Sequence, residues 1–291
     1  MIGHYHNKTK GFDDMLKKHI QLYSIKDEVF GDFEKSLRKV KEIGYDGVEF
    51  FGGFYGGLSA SEMKKLLAEI GLIPTSSHIT TAEIPAQVSY AAELGIEYLF
   101  DPMANFRDYE AAVDLSKKLN EAGKLCKQKG IVFGYHNHSH EFLPGKDGYL
   151  IETVIKNTDP ELVCFQLDVG WATVAGADAV ELLGKYPDRF KSIHFKECGE
   201  VIGPDTLPDF SKFPKSEDGK LQIPPEVLAE LQARGKWNVA AGKGIVDWES
   251  VIKKSRELGI DSFIVEREYD YLGDILKCVK EDFEVLGRLL N

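Results

Sequence analysis

Two spacings of apolar residues alternate along this chain. Short apolar runs at 19–24, 47–51, 73–78, 96–100, 131–135, 163–168, 191–195 and 262–266 predict β-strands, several of them apolar on both faces as in a buried parallel sheet. Between them, apolar positions recur at helical spacing over 33–43, 61–70, 84–94, 109–129, 148–156, 177–185, 248–258 and 273–290. A glycine follows several of these helices, at Gly44, Gly71, Gly95, Gly130 and Gly259, where it can end the helix and let the next strand begin. Helix, glycine and apolar strand in repetition are the mark of parallel βα units. Eight such units close most naturally into a (β/α)8 TIM barrel, and no GxGxxG follows the first strand to favour a dinucleotide-binding open sheet.

The domain expectation is a single barrel over residues 1–291, with one irregular insertion. Residues 199–244 carry Pro204, Pro208, Pro214, Pro224 and Pro225, too many for one continuous helix. The segment follows the seventh strand, so it lies on the face where a barrel keeps its active site and is expected to help roof the pocket.

Composition narrows the function. The chain has 291 residues, 43% of them hydrophobic, enough for a large core. Its 36 basic and 47 acidic residues leave a formal net charge of -11, which repels a phosphate backbone, so no nucleic-acid partner is expected. Cys126, Cys164, Cys198 and Cys278 are scattered without CxxC spacing and indicate neither a disulfide framework nor a thiolate zinc site. The opening residues lack an apolar core of signal length and no later segment resembles a membrane span, so a cytoplasmic protein without membrane association is expected.

The chemistry gathers where the later strands end. The fifth runs into Tyr135-His136-Asn137-His138 with His140 and Glu141 close behind, the sixth ends at Asp168, the seventh reaches His194 and Lys196, and the eighth ends at Glu266. Any one such residue is most simply a hydrogen-bonded polar group at a strand end. Four consecutive strands ending alike point instead to one polar centre at the strands' C-terminal face.

The ordered combination of Tyr135-His136-Asn137-His138 with Glu141-Phe142, Leu167-Asp168-Val169-Gly170-Trp171, His194-Phe195-Lys196-Glu197, Gly242-Lys243-Gly244 with Asp247-Trp248, and Val265-Glu266 resembles the sugar phosphate isomerase/epimerase family of xylose isomerase-like barrels. That family includes sugar isomerases and epimerases, inosose dehydratases, 3-keto-glycoside-processing lyases and a DNA-repair nuclease branch. The resemblance implies one divalent metal ion, Mn²⁺, Mg²⁺ or Zn²⁺, on four strand-end ligands. Asp168, His194 and Glu266 match three of them; for the first, Glu141 is the choice and His136 the rival. The implied reaction is isomerisation or epimerisation of a small carbohydrate or keto-sugar, by proton abstraction next to a carbonyl that the metal polarises. The alternative is a lyase, hydrolase or dehydratase acting on 3-keto-glycosides or inososes. A DNA-repair nuclease or a non-catalytic sugar-binding module ranks below both.

Glu141, Glu266 and His138 are the candidate bases. A buried carboxylate can be tuned toward neutrality, and an imidazole titrates there already. His136, Lys196, His78, Glu49, Trp171 and Tyr23 are the candidate substrate contacts: the polar groups for sugar oxygens, Trp171 for stacking, Tyr23 at the barrel mouth. Barrels of this type commonly associate, and a homodimer is expected.

Overall fold

The computed structural model describes residues 16–204, 208, 212–214, 216, 222–234 and 237–291. Within them, β1 (Lys17–Gln21), β2 (Gly47–Phe51), β3 (Ile73–His78), β4 (Tyr98–Asp101), β5 (Val132–His136), β6 (Val163–Asp168), β7 (Phe190–Phe195) and β8 (Ser262–Val265) form one closed barrel in chain order. Each strand is parallel to its neighbours, and the pairing of Lys17 with Ser262 and Ile20 with Val265 brings β8 back to β1. This is the eight-stranded architecture that the periodicity predicts.

The helices between the strands begin for a local reason. Asp32, Asp108, Asp178, Asp247 and Asp274 each accept a hydrogen bond from a backbone N–H in the first turn of the helix they precede. The helices so capped are α2 (Phe33–Ile43), α5 (Tyr109–Gln128), α8 (Ala179–Lys185), α10 (Trp248–Glu257) and α11 (Ile275–Leu290). Each cap satisfies an otherwise orphaned donor and contributes about 1 kcal/mol. The remaining helices are α1 (Lys26–Gly31), α3 (Ala60–Ile70), α4 (Ile84–Leu94), α6 (Leu150–Asn157), α7 (Val169–Val174) and α9 (Pro225–Arg234). No helix among the described residues is long and apolar enough to cross a membrane.

The two faces of the strands differ. Outward side chains such as Val48, Phe50, Leu167, Ile193 and Val265 are buried against the helices, where Leu37, Val40 and Leu67 meet them. Burying each contributes about 1.5–3 kcal/mol. Inside the barrel the lower layer is tightly filled: a Cβ on Gly134 would lie 2.7 Å from the Phe100 ring and 2.8 Å from Cys164 Sγ. Above it the interior becomes polar, with Gln21, Glu49, Ser76, Gln166, Ser192 and His194 all buried.

The first strand differs from the sequence expectation. It ends at Gln21 rather than running to Ser24, and Leu22–Ile25 form a 3-10 turn. The Gln21 side chain accepts the Tyr23 N–H at 3.0 Å and so turns the chain out of the sheet. The proline-rich insertion at 199–244 lies partly outside the described residues. Its described part includes α9, and its return is fixed by Glu197, which accepts N–H groups from Gly242 at 2.9 Å and Val246 at 3.2 Å and the Trp248 indole at 3.1 Å.

Candidate active site

Strand alternation decides which side chains reach the barrel interior. His136, Gln166, Asp168, Ser192 and His194 lie at inward positions on β5, β6 and β7, with His136 paired to Gln166 and Asp168 to His194 in register. Glu266 follows β8, its N–H reaching Phe195 O at 3.3 Å. The result is a buried group of His136, Asp168, His194 and Glu266 whose ligand atoms all lie within 4.8 Å of one another.

The structure does not bring Glu141 to that group. It sits in the turn His140–Phe142, where Oε1 accepts the Tyr135 hydroxyl at 2.7 Å and Oε2 accepts the His138 N–H at 3.0 Å. Tyr135 points out of the barrel, so a carboxylate bound to it is held outside the ring of inward side chains. His136, one residue on, points inward and occupies the fourth place.

Other expected residues fall at different depths. Glu49 is fully buried beneath the group rather than lining an open pocket, and accepts His194 Nε2 at 2.7 Å, Gln21 Nε2 at 2.8 Å and Ser76 Oγ at 2.6 Å. His78 is beside it, with Nε2 2.8 Å from Gln166 Oε1 and its ring 5.4 Å from that of His194. Lys196 is buried just past β7, with Nζ 2.7 Å from Glu268 and 4.5 Å from the Trp171 ring centroid. The His138 ring lies 5.4 Å from that of Trp171. Tyr23 is 40% exposed at the rim, packed edge-on against Phe51 at 5.4 Å. Gln166 and Ser192 are joined to this network without having been singled out in the sequence.

Burial and charge oppose each other throughout the site. Burial disfavours charge on His194, but the carboxylates of Glu49 and Glu266 outweigh it and lift the imidazole to about 10. For Asp168 burial wins and raises the carboxyl to about 7, against the pull of Lys196. Glu266 is held well below the usual carboxylate range because Lys196 and His194 together overcome its burial. His136 and His138 go the other way: burial, reinforced by nearby positive charge, holds both well below an ordinary imidazole.

The donor set fits a divalent cation. Asp168 Oδ1 accepts the Trp171 N–H at 2.7 Å, but Oδ2 is buried with no hydrogen-bond partner among the described residues. His194 Nδ1 lies 2.9 Å from Glu266 Oε2 and 3.8 Å from that Asp168 oxygen. Two carboxylates and two imidazoles facing one another suit Mn²⁺, Mg²⁺ or Zn²⁺ by donor type, and a cation there would satisfy the orphaned oxygen. Close to the group, His138 Nδ1 and Trp171 Nε1 are also buried with no hydrogen-bond partner among the described residues. Both belong to the rings that, with Lys196, border the group.

Known proteins resemble this chain at two levels. It is 36% identical over 89 residues to an inosose dehydratase of Clostridium tetani, covering 31% of this chain and 29% of that protein. With an inosose dehydratase of Geobacillus kaustophilus it shares 30% identity over 164 residues, 56% of this chain and 46% of that protein. The chain thus spans less than half the length of these relatives. A crystal structure of a sugar phosphate isomerase/epimerase from Parabacteroides distasonis superposes with a TM-score of 0.72 at 26% identity, over 98% of this chain and 97% of that one. Residues 37–289 match the description of a xylose isomerase-like TIM barrel, and the chain belongs to that family.

Proposed function

We propose that this chain is a metal-dependent lyase of a keto-sugar or keto-cyclitol, removing the proton next to the carbonyl and then expelling the hydroxyl one carbon further on as water. The observation that carries the reading is the pairing of one unpartnered imidazole nitrogen, His138 Nδ1, with one ammonium, Lys196, both beside the Trp171 ring. His136, Asp168, His194 and Glu266 are the residues that would hold the metal. When bound, the ion supplies positive charge that stabilises the negative charge developing on the carbonyl oxygen.

The protein's own groups do the rest. Trp171 offers an apolar face for the ring carbons and an indole N–H for a hydroxyl. His138 takes the proton from the carbon beside the carbonyl through Nδ1. The C–H electrons become the new C=C bond as the C–O bond one carbon on breaks, and the imidazolium returns its proton to the departing oxygen. Lys196 holds that oxygen while charge accumulates on it. Atoms balance: one hydroxyl and one proton leave as water.

Epimerisation through the same carbanion needs a second base on the opposite face of the carbon. The two carboxylates expected for that work are engaged, Glu141 with Tyr135 and Glu266 with His194. This favours elimination over epimerisation. Isomerisation by one base is the second reading, supported by the similarity along almost the whole chain to the Parabacteroides distasonis protein.

The test is incubation of the metal-loaded protein with an inosose and with keto-sugars in D₂O, followed by NMR and by the ultraviolet absorbance of a conjugated enone. Enone formation without deuterium at the carbon that loses its proton is expected, with His138→Ala lowering turnover about 10²–10⁴-fold. Full turnover by His138→Ala would overturn the assignment of the base. An isomerised product carrying deuterium without loss of water would replace elimination with the second reading.

A further inference from the structure

We propose that Gln166 and Glu49, buried beneath the strand-end group, fix the proton of His136 on Nδ1 and thereby leave its Nε2 unprotonated for a cation. The inference rests on the reading that this group holds a divalent ion. It assigns positioning roles to two residues that touch neither the ion nor substrate.

The hydrogen bonds decide the orientation of the Gln166 amide. Its Nε2 lies 2.8 Å from Glu49 Oε2 and 3.1 Å from Ser192 Oγ. A carboxylate only accepts, so the NH₂ end must face Glu49. Oε1 then faces the other way, 2.9 Å from His136 Nδ1 and 2.8 Å from His78 Nε2. An amide oxygen also only accepts, so both of those ring nitrogens carry hydrogen. With its proton on Nδ1, a neutral His136 presents the Nε2 lone pair on its opposite edge. Glu49 orients the His194 ring: Oε1 accepts Nε2–H at 2.7 Å, so Nδ1 is the nitrogen turned toward Asp168 and Glu266.

Glu49 can impose this order because only donors surround it. Gln21, Ser76, Gln166 and His194 each supply one hydrogen bond to its two oxygens, and His78 Nε2, whose hydrogen also serves Gln166, lies 3.1 Å from Oε1. The proton arrangement passes from the carboxylate to the amide and from the amide to His136. Partners of this kind, behind a ligand, typically account for 10- to 100-fold in metal affinity.

The prediction is sharpest for Glu49→Gln. An amide NH₂ facing Gln166 would force the Gln166 amide to turn over, presenting its own NH₂ to His136 and moving the His136 proton to Nε2. Gln166→Met keeps the volume and removes both ends of the relay. Long-range ¹H–¹⁵N NMR of histidine-labelled, metal-free protein reads the proton positions, and calorimetric titration with Mn²⁺ and Zn²⁺ reads affinity. The wild type is expected to show His136 protonated at Nδ1. Both variants are expected to lose that preference and to bind metal about 10- to 100-fold more weakly.

A wild-type His136 protonated at Nε2 overturns the proposal, as does metal affinity within about twofold of wild type in both variants. Asp168→Asn is the control for the underlying reading. If the wild type binds no cation, or Asp168→Asn binds as well as wild type, the ion site itself is wrong and the purpose assigned to Gln166 and Glu49 falls with it. If Asp168→Asn abolishes binding while both relay variants bind normally, only the present inference fails. Should Gln166→Met not fold, the wild-type spectrum and Glu49→Gln still decide.

Discussion

Asp168 and Glu197 are buried carboxylates on neighbouring strand ends, and they are partnered in opposite ways. Glu197 accepts four hydrogen bonds, from the backbone of Cys198, Gly242 and Val246 and from the Trp248 indole. Each oxygen is used, and the effect is to close the chain between residues 197 and 248. A similar region lies beside it, where Arg267 is held by two bonds to Asp282 and two to the carbonyls of Asn238 and Val239. Asp168 accepts one backbone N–H on one oxygen and leaves the other bare. Burying an unmatched polar atom is costly, so a site that does so across Asp168, His138 and Trp171 is arranged for something that arrives from outside. Saturated polar clusters hold the loops; the unsaturated one is the place to look for chemistry.

That contrast can be broken by experiment. The largest effect is expected from Asp168→Asn, which keeps the acceptor for Trp171 but removes the charge. Turnover should fall about 10³-fold or more, equivalent to about 4 kcal/mol of transition-state stabilisation. The metal-free variant should melt at or above the wild-type temperature, because a buried carboxylate with one unpartnered oxygen has been replaced by a neutral amide. A large loss of stability would place Asp168 with the saturated clusters instead.

Asp282→Asn should behave in the reverse manner. It leaves the Arg267 guanidinium buried and without its counter-charge, and should cost about 3–5 kcal/mol in denaturant unfolding. Activity per folded molecule should change little. A variant of wild-type stability with impaired metal binding would show that saturation does not separate the two regions.

His19 sharpens the comparison with a smaller effect. Its Nε2 is also buried without a hydrogen-bond partner among the described residues, but at the opposite end of the barrel from Asp168 and outside the groupings of metal donors found among those residues. Burial, opposed chiefly by Asp46, lowers this imidazole to about 4. The unfolded chain therefore binds a proton more readily, and stability is complete above about pH 6.5 and declines as pH falls toward 4. The contribution is at most about 3 kcal/mol over that window. His19→Gln should flatten this part of the stability profile without altering metal affinity. An altered affinity would mean that an isolated orphaned atom can report on the site across the barrel.

Much of this arrangement is legible in the sequence because it depends on spacing. Asp168, His194 and Glu266 end apolar runs of strand length, and the runs themselves give the barrel. The first strand is harder to place because Leu22 and Ile25 stay buried after the backbone has turned away, so the apolar signal outlasts the strand. Glu141 is an attractive fourth ligand from residue type alone. The two-residue period of the strand argues against it, since it places His136 inward and directs Tyr135, the partner of Glu141, outward. Gln166 and Ser192 carry a usable signal: each is a polar residue two positions before an expected ligand, inside a parallel strand that ought to be apolar on both faces. The orientation of the Gln166 amide is not legible, because it depends on Glu49, 117 residues away.

That separation bears on how the molecule is assembled. Glu49 reaches its partners on β6 and β7 only across 117 and 145 residues of chain. A growing polypeptide that has completed β1 to β5 can offer Glu49 only Gln21, Ser76 and His78, and a partial barrel would enclose a carboxylate that lacks its other donors. Contacts of such long range are slow to form and rewarded late. The polar interior therefore ties completion of the site to completion of the ring. Truncation after any strand before β7 should leave a chain that collapses without maturing, and no half of this barrel is expected to fold into a smaller working unit.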